Sequence, residues 1–124
     1  MPTGLDALNQ ALLLLGYTNG YGEPDGQNDA ELYKRGTAAV RQVYRDLCRI
    51  ERRNEPEPPA LRMDRAIPLS AAAVGDVMPY GVAMFLAQSE GSGDSQALFA
   101  AIYDRKRAGL GVAGRRKDIL PKMR

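Results

Sequence analysis

The chain has 124 residues, which suits one domain of ordinary size, and its net charge is +2. Its only cysteine excludes an internal disulfide, and the lack of histidine removes the commonest general base, the commonest metal ligand and any serine–histidine triad. No basic segment with a cleavage site opens the chain, and its apolar runs are far shorter than the ~20 residues of a membrane span. We therefore expect a soluble protein without a signal peptide, suited to a reducing compartment.

Charge is distributed unevenly along the chain. Residues 1–103 contain 9 Lys/Arg against 13 Asp/Glu, whereas residues 104–124 contain 8 against 2. Such a basic end is able to contact nucleic acid or an acidic protein surface. It is also typical of a solvated tail that only keeps a protein soluble, and the sequence leaves these readings open.

The first predicted helix spans residues 5–15 and has leucines along one face. Thr3 is its expected N-cap, and Asp6 stands where the acidic partner of a capping box would be. Gly16 is expected to end the helix, because glycine adopts the left-handed conformation without strain.

A glycine-rich loop is predicted over residues 16–29, which contain the turn signals Asn19-Gly20 and Asp25-Gly26. Loops of this length are usually functional or mobile. Tyr17 and Tyr21 suit an interface, so we expect this loop to contact another protein.

The longest predicted helix runs from residue 30 to residue 52 or 53, with an apolar stripe that includes Leu32, Val40, Val43, Leu47 and Ile50. Five arginines fall off this stripe: Arg41, Arg45, Arg49, Arg52 and Arg53. The first four lie on or near one helical row, which predicts one basic side. This row indicates either a weak nucleic-acid surface or a solvated face paired with Asp46, Glu51 and neighbours. Cys48 is interpreted as a partly buried small side chain rather than a nucleophile.

Residues 54–69 contain four prolines and predict a polyproline-II-like arm or connector. Pro56, Pro58 and Pro59 form its densest part. Ser70 is expected to cap a short helical turn over residues 71–73, which Gly75 and Asp76 would end, with Asp76 also a candidate cap for the next helix.

An αα-hairpin is predicted over residues 79–110. Its first helix opens with Pro79, where a missing N–H costs little, and presents an apolar face that contains Val82, Phe85 and Leu86. A turn over residues 91–94 follows, with Asp94 as the expected N-cap of the last helix. The apolar stripe of that helix is predicted to contain Leu98, Ile102 and Tyr103.

Residues 111–124 are interpreted as an extended basic tail, in which Ile119 and Leu120 provide an apolar anchor. The whole pattern predicts an all-α fold, a small four- to five-helix bundle over residues 1–110 with the loop, the proline-rich arm and the tail attached. No segment has the sustained period of two that a strand requires.

The sequence offers little chemistry. The glycine-rich loop matches neither common phosphate-binding motif and follows a helix rather than a strand. The acids Glu23, Asp25 and Asp29 do not have the spacing of a calcium loop. Glu31 and Asp46 share a helix but lie about four turns apart. We therefore expect no catalytic, cofactor-binding or metal-binding residues, and a protein that is not an enzyme.

The order of elements resembles that of the small head–tail connector proteins (adaptor, or head-completion, proteins) of tailed bacteriophages. The resemblance is best over LNQALLLLG, residues 8–16, and over the hairpin that opens with MPYGVA at residues 78–83 and continues through Leu98-Phe99 and Tyr103.

This resemblance implies a helical bundle that assembles as a ring, commonly of twelve copies, beneath the portal. The ring would extend the DNA channel, through which double-stranded DNA passes without sequence-specific binding, and would provide a platform for a tail or stopper protein. The expected location is the head–tail interface of the virion, after synthesis in the bacterial cytoplasm.

The resemblance also suggests docking residues. The portal protein would contact the basic C-terminal segment of this chain, through Arg115, Arg116, Lys117, Ile119, Leu120, Lys122 and Arg124. Neighbouring copies or the phage tail would be contacted through Tyr17, Tyr21, Pro56, Pro58, Pro59, Arg41, Arg45 and Arg49. The alternative is a small prophage-encoded helical DNA-binding or regulatory protein, because the arginine row and the basic end weakly fit such a role.

Overall fold

The computed structural model of the protein describes residues 2–16, 30–89 and 91–119, with the backbone alone over 111–119. These residues form four α-helices and no strand: α1 (Gly4–Leu14), α2 (Ala30–Glu51), α3 (Met78–Ser89) and α4 (Gly93–Ile119). The predicted all-α class is therefore confirmed for the described part of the chain. The glycine-rich loop, including Tyr17 and Tyr21, lies outside the described residues.

The start of α1 has the predicted capping box. The hydroxyl oxygen of Thr3 accepts a hydrogen bond from the Asp6 backbone N–H at 3.1 Å, and the Asp6 carboxylate accepts one from the Thr3 N–H at 2.9 Å. These two bonds satisfy backbone groups that a helix end otherwise leaves unpaired. Gly16 follows the helix with a φ of +87°, as predicted.

The core forms around α3, which packs against each of the other three helices. The apolar stripe predicted for α2 is buried, since Val40, Val43 and Leu47 are fully enclosed. Each such side chain contributes about 1.5–3 kcal/mol relative to exposure. The largest fully buried side chains on the other elements are Leu8, Leu12, Val74, Val77, Met78, Val82 and Leu86.

The segment before α3 does not form the short, terminated turn that the sequence predicts. The chain is helical without a break from residue 71 to residue 89, through a π-helical segment at Ala73–Val77. Ser70 does cap its start, because its hydroxyl accepts from the Ala73 N–H at 3.1 Å. Gly75 and Asp76 are exposed positions within the π-helical segment, so neither ends a helix.

The π-helical segment lies directly before Pro79, which a regular helix interior excludes because proline has no N–H and its ring clashes with the preceding turn. A wider local turn is a common way to accommodate such an interruption. Asp76 acts as an ion-pair partner rather than a cap, and its carboxylate binds the Lys106 ammonium at 2.8 Å.

The proline-rich connector divides into two parts. Residues 54–59 are exposed, as expected of an arm. Residues 60–69 instead pack onto their own chain, where Ile67 is only 3% exposed and its N–H donates to the Pro2 carbonyl at 3.0 Å. The Leu5 N–H likewise donates to the Met63 carbonyl at 3.0 Å. The second part is therefore an internal strap, which corrects the expectation that the whole arm reaches a neighbour.

The last helix differs from its prediction in three respects. It begins at Gly93, so Asp94 lies in its first turn and is not the N-cap. Among its residues up to 110, the buried ones are Phe99 and Tyr103, whereas Leu98 is 58% exposed. It continues to Ile119, so the extended tail predicted from residue 111 is wrong up to that residue.

The helix continues through a region that contains several glycines. Gly109, Gly111 and Gly114 all lie within it, and a glycine inside a helix costs only about 1 kcal/mol relative to alanine. Residues 120–124 lie outside the described part of the chain.

Candidate interaction surface on helix α2

A shallow groove lies on the outer side of α2. Its volume is about 520 Å³, and it opens widely to solvent. Four of its residues are spaced by four and therefore follow one row of the helix: Tyr33, Thr37, Arg41 and Arg45. Lys34, Ala38 and Gln42 complete the lining.

The groove is cationic and its charges are not neutralised within the described structure. Arg41 and Arg45 are exposed, and neither side chain has an ion-pair or hydrogen-bond partner among the described residues. The Thr37 hydroxyl oxygen is shielded from solvent and has no hydrogen-bond partner in the described part of the chain. The surface therefore has free hydrogen-bonding capacity and positive charge beside the half-buried Tyr33 ring.

The arginine row predicted from the sequence is shorter than expected. Arg41, Arg45 and Arg49 are exposed as predicted, although Arg49 does not line the groove. Arg52 binds within its own chain, where its Nε donates to the Pro68 carbonyl at 2.6 Å and its Nη1 pairs with Glu55 at 2.6 Å. Arg52 consequently belongs to the strap and not to the surface.

An acidic segment lies after the end of α2, in the exposed first part of the connector. Over residues 54–59 it places Glu55 before Pro56 and Glu57 between Pro56 and Pro58, and all three prolines of this segment are exposed. Glu55 is paired with Arg52, whereas no ion pair joins Glu57 to any described residue. The Pro59 carbonyl accepts a hydrogen bond from the Tyr44 hydroxyl at 2.5 Å, which fixes one end of this segment against α2.

One of the acids that the sequence assigned to the arginine row, Asp46, serves another purpose. Asp46 accepts two hydrogen bonds from Arg107, at 2.6 and 2.9 Å, and one from the Tyr103 hydroxyl at 2.6 Å. Burial opposes ionisation, but the bonds from Arg107 and Tyr103 outweigh it and lower the pKa of Asp46. The same burial and the neighbouring carboxylate raise the pKa of Tyr103. This cluster joins α2 to α4.

The remaining features that bear on function are the cysteine, groups of potential metal ligands and long apolar helices. Cys48 is 4% exposed, and burial raises the pKa of its thiol, which fits the predicted role of a small buried side chain. No group of three or more potential metal-ligating side chains occurs in residues 2–16, 30–89 and 91–110. Over the described ranges, no helix is both long and apolar enough to cross a membrane.

The predicted portal-docking residues divide between two situations. Residues 115, 116, 117 and 119 belong to the helical backbone of α4, whose side chains past residue 110 are not described. Leu120, Lys122 and Arg124 lie outside the described residues. The structure therefore assigns no contact to any of them.

Sequence reasoning found the arginines of the groove but missed Tyr33, Lys34 and Thr37. The four-residue spacing from Tyr33 to Arg45 was the available signal, since it places an aromatic ring and two cations on one row. Comparison of the chain with models of known protein families, with curated proteins and with solved structures finds no match.

Proposed function

We propose that the protein is a virion structural protein of a tailed bacteriophage, a head–tail connector (adaptor) that forms a ring under the portal. The ring extends the DNA channel and provides the attachment platform for the tail or stopper protein. The proposal rests on the resemblance in element order, and the observation that carries it is the unneutralised cationic groove on the outer side of α2. A closely packed helical protein with such an open, charged groove is suited to docking.

The packing of the chain suits a rigid part of an assembly. The helices share one core around α3, and residues 60–69 are fastened to Pro2 and to Leu5 of α1 by backbone hydrogen bonds. Rigid partners lose less conformational entropy on association, which favours a stable ring. The proposed four- to five-helix bundle supplies this rigidity, and exposed segments supply the contacts.

The orientation of the groove within the ring follows from its charge. Arginines that line a channel attract the phosphate backbone and would retain DNA during passage. In the proposed ring, Arg41 and Arg45 therefore face a neighbouring copy or the outside. Double-stranded DNA passes through the lumen without sequence-specific contacts.

Co-sedimentation of the purified protein with the portal ring from the same genome tests the proposal. Because α4 is helical to Ile119, deletion of residues 111–124 also shortens a helix. A second variant, Arg115→Gln/Arg116→Gln/Lys117→Gln, removes the charges and retains a good helix-forming sequence. Loss of binding in both variants assigns docking to this end of the chain, and binding by neither the wild-type protein nor the variants contradicts the connector proposal.

A second candidate is a small prophage-encoded DNA-binding or regulatory protein, which the exposed arginine row of α2 favours. Such a protein binds DNA with an affinity that falls steeply as salt increases, because counterions are released from the phosphates. A gel shift at low and physiological salt separates the two. Strong salt-dependent DNA binding together with no portal binding supports the regulator.

A further inference from the structure

The cationic groove and the acidic proline-rich segment of this chain are chemically complementary. The groove presents Arg41, Arg45 and the Tyr33 ring, and the segment at residues 54–59 presents Glu57 among exposed prolines. We propose that residues 54–59 of one copy occupy the α2 groove of a second copy. The inference deepens the proposed ring and rests on it, because it names the contact between neighbouring copies.

Each part of the segment has a matching feature in the groove. Proline-rich segments bind surfaces that present aromatic side chains, because their extended conformation is formed before binding and little entropy is lost. Tyr33 provides such a ring at one end of the groove. Arginine binds carboxylates through two parallel hydrogen bonds, and Arg41 and Arg45 are exposed and have no partner among the described residues.

The occupant is a second copy because the segment does not lie in the groove of its own chain. All of the described groove-lining residues belong to α2, and residues 54–59 are exposed where they stand. The hydrogen bond from Tyr44 to the Pro59 carbonyl also holds the end of the segment in place. A neighbouring copy meets the segment without any rearrangement of it.

This contact joins two different surfaces of the same protein. Such a head-to-tail interface repeats from copy to copy and closes into a ring when the rotation per copy allows it. Each copy then contributes one groove and one segment, so blocking either surface stops growth at that side only.

The test uses two charge-reversed full-length variants and measures mass by native mass spectrometry and sedimentation velocity. Arg41→Glu/Arg45→Glu reverses the charge of the groove, and Glu57→Lys reverses the charge of the segment. All three side chains are exposed, so folding should be retained. Each variant alone should lose self-association by about tenfold or more, on the scale of interfacial charge pairs. A mixture of the two should associate again, because the intact groove meets the intact segment, and the reversed groove and the reversed segment also carry opposite charges.

Matched controls reverse charges outside the proposed contact. Arg49→Glu lies on the exposed side of α2 but does not line the groove, and Asp64→Lys lies in the connector outside residues 54–59. Both should associate as the wild-type chain does. Circular dichroism of every variant establishes that helix content is unchanged.

Three outcomes overturn the inference. The first is wild-type association by both charge-reversed variants, and the second is a mixture that does not associate. The third is a wild-type protein that stays monomeric both at high concentration and when bound to the portal. In that case the groove would bind something other than a second copy, such as residues 17–29 or DNA. If the variants bind the portal and still form rings, only the assigned contact fails, whereas a failure to bind the portal counts against the connector proposal itself.

Discussion

Asp46 of α2 and Arg107 of α4 form a two-point ion pair, with Arg107 Nε 2.6 Å from Oδ2 and Nη2 2.9 Å from Oδ1. The Tyr103 hydroxyl donates to the same Oδ2 at 2.6 Å. One carboxylate of α2 thus fixes two successive turns of α4. This arrangement sets the position of α4, and with it the direction in which the chain continues toward residue 119.

Replacing Asp46 is expected to change how stability depends on pH. The pKa of Asp46 is lowered in the folded protein, because the hydrogen bonds from Arg107 and Tyr103 outweigh burial. The contribution of Asp46 to stability is therefore complete above its unfolded pKa of about 3.9 and is lost as pH falls through its folded pKa. Asp46→Asn should therefore lower the free energy of unfolding by about 1–2 kcal/mol at pH 7 and by less at pH 3. Urea unfolding at both values measures this.

The exposed Asp64 supplies the control for this experiment, because Asp64→Asn removes from the connector a carboxylate that forms no ion pair with the described residues. Its unfolding should follow the wild-type chain at both pH values. An Asp46→Asn loss that is equally large at pH 3 and pH 7 would contradict the assigned role of the ionised carboxylate.

A second expectation concerns alkaline pH. Burial, followed by the neighbouring Cys48, raises the pKa of Tyr44 to about 12, while its hydroxyl donates to the Pro59 carbonyl. Because this pKa is higher in the folded than in the unfolded state, the protonated Tyr44 hydroxyl contributes to stability. That contribution is complete below the unfolded pKa of about 10 and is lost as pH rises toward 12. Tyr44→Phe should cost about 1 kcal/mol at pH 7 and show a smaller loss of stability between pH 9 and pH 11.

Tyr80→Phe is the matched change, since Tyr80 is only half-buried and retains its ring contact with Phe99 as phenylalanine. Its alkaline profile should parallel that of the wild-type chain. Identical profiles for Tyr44→Phe and the wild-type chain would show that the Tyr44 hydroxyl is not held as described.

The sequence was most informative where local chemistry decides the structure. Thr3 and Asp6 predicted the start of α1 because a capping box involves only neighbouring residues. The apolar stripe of α2 predicted its buried side, since the three- and four-residue steps persist over the whole helix. The basic side of the same helix, and so the arginines of the candidate groove, followed from that stripe.

Sequence reasoning failed where an interaction distant in the chain decides the outcome. Residues 60–69 look like a free arm, yet their backbone finds partners at Pro2 and Leu5, which no local pattern indicates. Gly75 and Asp76 are residue types that often end or cap a helix, yet the chain continues through them as a π-helical segment. What binds the α2 groove likewise depends on a surface outside α2, so the sequence of the helix alone does not predict it.

Two glycines should respond in opposite ways to alanine. A Cβ at Gly81 would lie 2.7 Å from a Tyr103 ring carbon and 2.9 Å from a Val43 methyl, so the close contact of α3 with α2 and α4 requires glycine. Gly81→Ala should destabilise the protein by about 1–3 kcal/mol. Gly109→Ala meets nothing within 4 Å in α4 and should stabilise it by about 0.5–1 kcal/mol. Thermal unfolding of both variants checks the contrast, and equal effects would refute it.

The final prediction concerns the strap at residues 60–69. Arg52 holds it through the Pro68 carbonyl at 2.6 Å, and Glu51 accepts from the Ser70 N–H at 2.8 Å. Arg52→Ala should leave the Pro68 carbonyl without this donor and loosen the strap while the core stays folded. Hydrogen exchange should then be faster at the Ile67 amide, with core amides of α3 unchanged.

Arg62→Ala is the control, because Arg62 is an exposed cation of the strap itself. It should leave exchange at the Ile67 amide unchanged. Faster exchange throughout α3 in Arg52→Ala would mean that the strap and the core open together, since local opening affects only the segment released. Exchange confined to the strap would instead show that the strap opens locally while the core stays closed.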